Sequence, residues 1–162
     1  MAGHDPDVFF LALLAGVAIA VQAAVNSQLA GAMSGNTLAA AFYSFLSGMF
    51  VLGVLACLRG GLGDALSVIP AQPGWRLVGG ILGAGAIFCT VWLAPRIGLA
   101  NLLVLVIAGQ LLSSVAIDHF GWLGAAVRPA ASIKIAGAVV VLLGVALTLF
   151  GERLIALLAR PF

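Results

Sequence analysis

Five stretches of this chain are each long and apolar enough to cross a lipid bilayer, and that repetition limits the fold more than any motif does. A spanning helix needs about 20 mostly apolar residues. The first such stretch runs from about Val8 to Ala30, the second from about Thr37 to Leu58 and the third from Trp75 to Ala94. The fourth covers about Gly98 to Ile117 and the fifth about Ser132 to Phe150. Inside hydrocarbon every backbone N–H and C=O must find a partner within the protein, so each stretch is read as an α-helix. The fold class is therefore all-α integral membrane, with five transmembrane helices and residues 1–162 forming a single membrane domain.

Composition excludes the soluble alternatives. Hydrophobic residues make up 64% of the chain and charged residues 7%, against about 25% charged in a soluble domain. A net charge of +2 is too small and too scattered for nucleic-acid binding. The opening "MAGHDPD" carries no Lys or Arg, so the first apolar stretch is expected to be a membrane helix and not a cleaved leader. Asp5 is positioned to cap it and Pro6 suits its first turn. Cys57 and Cys89 are expected near opposite membrane faces, which makes a disulfide between them implausible. The longest connection, "RGGLGDALSVIPAQPG", is expected to lie at the interface. The tail "GERLIALLARPF" fits either a prolonged fifth helix or an interfacial segment.

Loop charges set orientation through the excess of Lys and Arg on one side. The side of the N-terminus collects Arg59, Arg76, Arg128 and Lys134, and the other side Arg96, Arg153 and Arg160. So even a balance fits insertion both ways, a partner that fixes the orientation, or a fixed topology that this count misses.

Polar side chains inside lipid turn toward protein or a wet cavity, so their depths matter. At about 1.5 Å of rise per residue, Gln22 lies roughly 13 Å and Asn26 roughly 7 Å from the face carrying the first connection. Tyr43, Ser44 and Ser47 fall at roughly 9–15 Å, and Gln110 at roughly 18 Å. Gln22, Ser47 and Gln110 thus approach one level near the middle of the bilayer. Gln22 and Asn26, four apart, share a helix face. Gln110, Ser114 and Asp118 form one stripe down the fourth helix. Gln22, Asn26, Tyr43, Ser47, Gln110 and Ser114 are the candidate substrate-binding residues. Asp118 and His119 are candidates for a gate or proton-sensitive element, since His titrates near neutral pH, or else an interfacial pair ending the helix. Serines can also bond their own helix backbone, and amides can serve as helix glue.

Gly79 with Gly83, and Gly137 with Gly144, place small residues on single helix faces where backbones can approach closely. They fit packing within one subunit or a dimer interface. No Cys/His cluster has metal-ligand spacing, and neither a phosphate-binding loop nor a Ser-His-Asp set is present. Neither a cofactor nor a metal nor an enzyme activity is expected.

Together "GVAIAVQAAVNSQLAG", "SFLSGMF", "APRIGLAN", "AGQLLSSVAIDHFGWLG" and "IAGAVVVLLGV" resemble the YdcZ-like family of small bacterial inner-membrane proteins, in the drug/metabolite transporter superfamily. The resemblance covers about residues 9 to 150, and its most specific parts are Q-x-x-x-N in the first helix and G-Q-x-x-x-S-x-x-I-D-H-F-G in the fourth. It implies a multi-pass protein of the bacterial inner membrane that forms half of a ten-helix, inverted-repeat transporter. A homodimer, or an antiparallel heterodimer with a paralogous subunit, would complete it. Two antiparallel units would bring two polar clusters to the midplane, where such transporters bind substrate. In the related small multidrug resistance proteins a first-helix glutamate binds protons and cations. Here Gln22 stands near that place and does not titrate, so a neutral or zwitterionic metabolite fits better. The expected function is alternating-access transport of a small metabolite. A dual-topology channel and a non-transporting accessory subunit are the alternatives.

Overall fold

The computed structural model describes residues 6–158, and all its regular elements are helical. They are α1 (Pro6–Ala32), α2 (Thr37–Arg59), α3 (Leu62–Ser67), α4 (Gly79–Ile97), α5 (Leu99–Phe120) and α6 (Ser132–Leu158). All except α3 are long and apolar enough to span a bilayer. Pro6 opens α1 as its sequence position suggests, whereas the expected cap Asp5 and the cation Arg160 lie outside the described residues. By packing, the chain divides into two units, residues 1–96 and 97–162.

In the first unit a tight turn folds α2 back along α1. Ser34 and Gly35 take left-handed backbone at φ 56° and 83°, and the Asn36 carboxamide oxygen accepts from the Ala39 N–H at 3.0 Å to cap α2. The core near this turn is built from Ala30, Ala40 and Val91, flanked by Leu29, Met33 and Ile87. Val91 is the largest fully buried side chain, and most other buried apolar residues are alanines. Small side chains let helices approach closely where no water-driven force holds them together. The larger side chains, among them Phe10, Leu14, Phe50 and Leu52, stay exposed, which suits a solvent of lipid tails.

Helix α4 begins at Gly79 and not at Trp75. Residues Gly74–Leu77 instead form a 3₁₀ turn after Pro73, in which Arg76 donates to the Gln72 side chain at 2.8 Å. Starting the span later keeps that cation out of the hydrocarbon. At its other end α4 runs through Pro95 to Ile97, beyond the expected stop at Ala94. A proline so close to the end forfeits one helical hydrogen bond. The Arg96 guanidinium lies 3.8 Å from the Trp92 ring centre and donates to the Trp92 carbonyl. The connection before α4 holds α3 and a 3₁₀ turn at Ile69–Ala71. Cys57 and Cys89 are free thiols.

In the second unit α5 packs along α6. Helix α5 extends to Phe120, three residues past the expected end, because left-handed Gly121 supplies its stop. Helix α6 continues unbroken through Gly151 and Glu152 to Leu158. The tail therefore prolongs the last helix as far as the described residues go.

Candidate functional site

The first unit gathers a polar cluster on neighbouring helices. From α1, Gln22 donates to the Ser44 hydroxyl of α2 at 3.3 Å, and Asn26 donates to the same hydroxyl at 3.1 Å. The shared face expected from their four-residue spacing is what makes one acceptor reachable by both. Asn26 is 5% exposed and is the only buried polar residue among those described. No buried side-chain nitrogen or oxygen is left without a partner there. Beside the cluster lies a cavity of about 390 Å³, bounded by Gln22, Ser44, Phe45, Gly48, Met49 and Leu52. That volume lies in the roughly 300–1,000 Å³ range of small-molecule sites. The cluster has hydrogen-bond donors and acceptors but no ionisable group, so it can orient a polar solute without binding a proton.

Ser44 is the residue that sequence reasoning undervalued. Nothing in the pattern separates a serine bonded across helices from one bonded within its own helix. Ser47 is of the second kind, donating to the Ser44 carbonyl at 2.9 Å. Tyr43 lies on an exposed face, 55% accessible.

The second unit builds a different cavity, of about 420 Å³, between the end of α5 and the start of α6. Its walls include Ser114 and Asp118 from α5, Arg128 from the connection and Lys134 from α6. Ser114 donates to the Leu111 carbonyl at 2.9 Å, which is again a bond within one helix. Two hydrogen bonds seat the connection: Arg128 N–H to the Asp118 carbonyl at 2.7 Å, and Ala130 N–H to His119 Nδ1 at 3.1 Å. His119 thereby holds a loop, with its ring edge-on to Phe120. Phe120 in turn stacks on Trp122 at 5.1 Å, an aromatic pair of the kind enriched at membrane interfaces. Arg128 and Lys134 entered the sequence reading only as loop charges; their place in this cavity depends on how the loop folds back.

Gly121 makes that fold possible. Its φ is +66°, and a Cβ built on it would sit 2.6 Å from Val127 Cγ2 and 3.2 Å from the Ala125 carbonyl. No other side chain fits without moving the loop.

A family profile described as "Putative inner membrane exporter, YdcZ" matches residues 8–147. The chain belongs to the YdcZ family. It is a multi-pass protein of the inner membrane and a membrane transporter. No curated protein and no solved structure matches it.

Of the remaining candidates in this YdcZ-family chain, Gly137 lines the α5–α6 cavity, and Gln110 lines neither cavity. Gln110 is exposed on α5, with no side-chain hydrogen bond among the described residues. Of the four glycines, a Cβ at Gly83 would touch the Phe45 ring at 3.4 Å, whereas at Gly79, Gly137 and Gly144 it would meet nothing within 4 Å. Close packing within the unit is thus seen at Gly83. Among the described residues no group of His, Cys, Asp and Glu is placed to hold a metal ion.

Proposed function

We propose that the chain is one half of an exporter for a small, uncharged or zwitterionic metabolite, working by alternating access in an antiparallel dimer. The observation that carries this reading is the convergence of Gln22 and Asn26 on Ser44 beside an open cavity. Two amides that satisfied only each other would be helix glue. Here Gln22 and Ser44 line a space of small-molecule size, and the Gln22 amide offers hydrogen bonds with no charge to bind a cation or a coupling proton.

The dimer is supported by two exposed features. Gln110 presents an amide on an apolar helix, costly against lipid tails and stabilised against protein or a polar cavity. Gly137 and Gly144 leave α6 an open small-residue face, suited to close approach by another helix. The even division of Arg and Lys between the loops fits two oppositely inserted copies, or a paralogue with the opposite bias. As a carrier the protein would have no catalytic residues.

Purified protein in liposomes tests the reading. Saturable uptake that exchanges external for preloaded solute is expected, and a non-saturating conductance would replace the carrier by a channel. Single cysteines in the 33–36 and 125–131 connections, reacted with an impermeant thiol reagent in a background lacking Cys57 and Cys89, should each label from both sides. Labelling of each from one side only, with no second subunit present, overturns the antiparallel homodimer.

A further inference from the structure

The cavity at the end of α5 holds three charged side chains, one acidic and two basic, within about 420 Å³. Opposite charges on the walls of one half-open cavity attract one another. Yet among the described residues no cationic nitrogen lies within 4.0 Å of the Asp118 carboxylate. The backbone fixes where each of these side chains begins. Arg128 is tied to the Asp118 main-chain carbonyl through its own N–H, and His119 pins Ala130 two residues on. Lys134 is set by the first turn of α6. Asp118 is half-buried, while Arg128 and Lys134 are exposed to whatever enters.

We propose that this cavity recognises a zwitterion, with Arg128 and Lys134 taking its acid group and Asp118 its amine. A plain anion would answer the two bases but leave Asp118 without a counter-charge, and a plain cation would meet the repulsion of two bases. A neutral solute would leave all three charges uncompensated. A molecule with an acid group and an amine a few bonds apart gives each charge an opposite. Two sources carry that chemistry: a soluble amino acid or phosphoethanolamine-like solute, and the headgroup of an aminophospholipid. The Ser114 hydroxyl, donating to its own helix, still has lone pairs for the amine. Any part in export rests on the transport reading above; the binding chemistry does not.

Calorimetric titration of the full chain in detergent tests this, with phosphoethanolamine, inorganic phosphate and ethanolamine as probes. Phosphoethanolamine should bind about tenfold or more tightly than either half, the scale of one charged hydrogen bond. Asp118→Asn should reduce it to the affinity of phosphate, and Arg128→Gln with Lys134→Gln should abolish binding. In nanodiscs of phosphatidylethanolamine, loss of phosphoethanolamine binding that persists in phosphatidylglycerol discs identifies the lipid as occupant. Persistence in both identifies the solute, and either result supports the site. Phosphate binding the parent chain as tightly as phosphoethanolamine overturns the proposal, and so does undiminished binding by the doubly substituted chain. The first comparison needs no variant to fold. Counterflow in liposomes is scored separately: transport without zwitterion preference removes only this site's part in export, and zwitterion binding without transport sinks only the carrier.

Discussion

The α1–α2 pair and the α5–α6 pair solve the same problem in opposite ways. Each is two apolar helices joined by a short connection, and each lines a cavity of similar size. In the first, polarity sits along the helices as amides and a hydroxyl, already bonded to one another across the pair. In the second, it sits at the helix ends as full charges on the walls of one cavity, beside a loop that is itself hydrogen-bonded. The difference follows from depth. An amide in hydrocarbon can be satisfied by one or two neighbours, while a charge remains expensive until it reaches the interface.

The sharpest way to break this contrast is at Gly121. Gly121→Ala places a methyl group on a left-handed residue and 2.6 Å from Val127 Cγ2, at an expected cost of about 2 kcal/mol or more. Thermal unfolding in detergent should show it, together with loss of the charged cavity's ligand binding; an unchanged midpoint would mean the loop is not seated as described. Next comes Gln22→Leu, which removes an exposed donor from the neutral cluster while keeping its bulk. Transport should fall about tenfold, near 1.4 kcal/mol, with little change in stability. Full activity would reduce the cluster to helix glue.

Smaller still is His119→Ala, which leaves the Ala130 N–H without its acceptor. About 1 kcal/mol of stability should be lost, and hydrogen exchange at Ala130 should quicken while that of α1 and α2 does not. The weakest effects belong to Ser47→Ala and Ser114→Ala, whose hydroxyls donate to their own helices. Each should change stability by less than about 0.5 kcal/mol. A marked loss of transport at Ser47 would make that hydroxyl a substrate contact and blur the line between backbone-bonded and cross-helix serines.

The spans were legible in the sequence because lipid enforces helices of a set length, and every apolar stretch became one. Their ends were less so. Trp75 lies outside α4 because Arg76 prefers the Gln72 side chain to hydrocarbon, and α4 outlasts Pro95 because a terminal turn has few bonds to lose. Of the two clusters, the Gln22–Asn26 face follows from spacing alone. Ser44 does not, since its role depends on which α2 face meets α1. Arg128 lies on a proline-containing connection and Lys134, six positions on, in the first turn of α6, and no periodicity predicts that they line one cavity with Asp118. That juxtaposition belongs to the two hydrogen bonds and one left-handed glycine that shape the loop.

The unbroken last helix has a mechanical consequence. At about 1.5 Å per residue, the 27 residues of α6 make a rod of roughly 40 Å, against roughly 30 Å of hydrocarbon. The rod must lean, or else carry Glu152 and Arg153 clear of the far surface. Lys134 in its first turn and Glu152 and Arg153 near its far end bracket the apolar part of α6, so these charges, and not the full length of the rod, mark the stretch that hydrocarbon can cover.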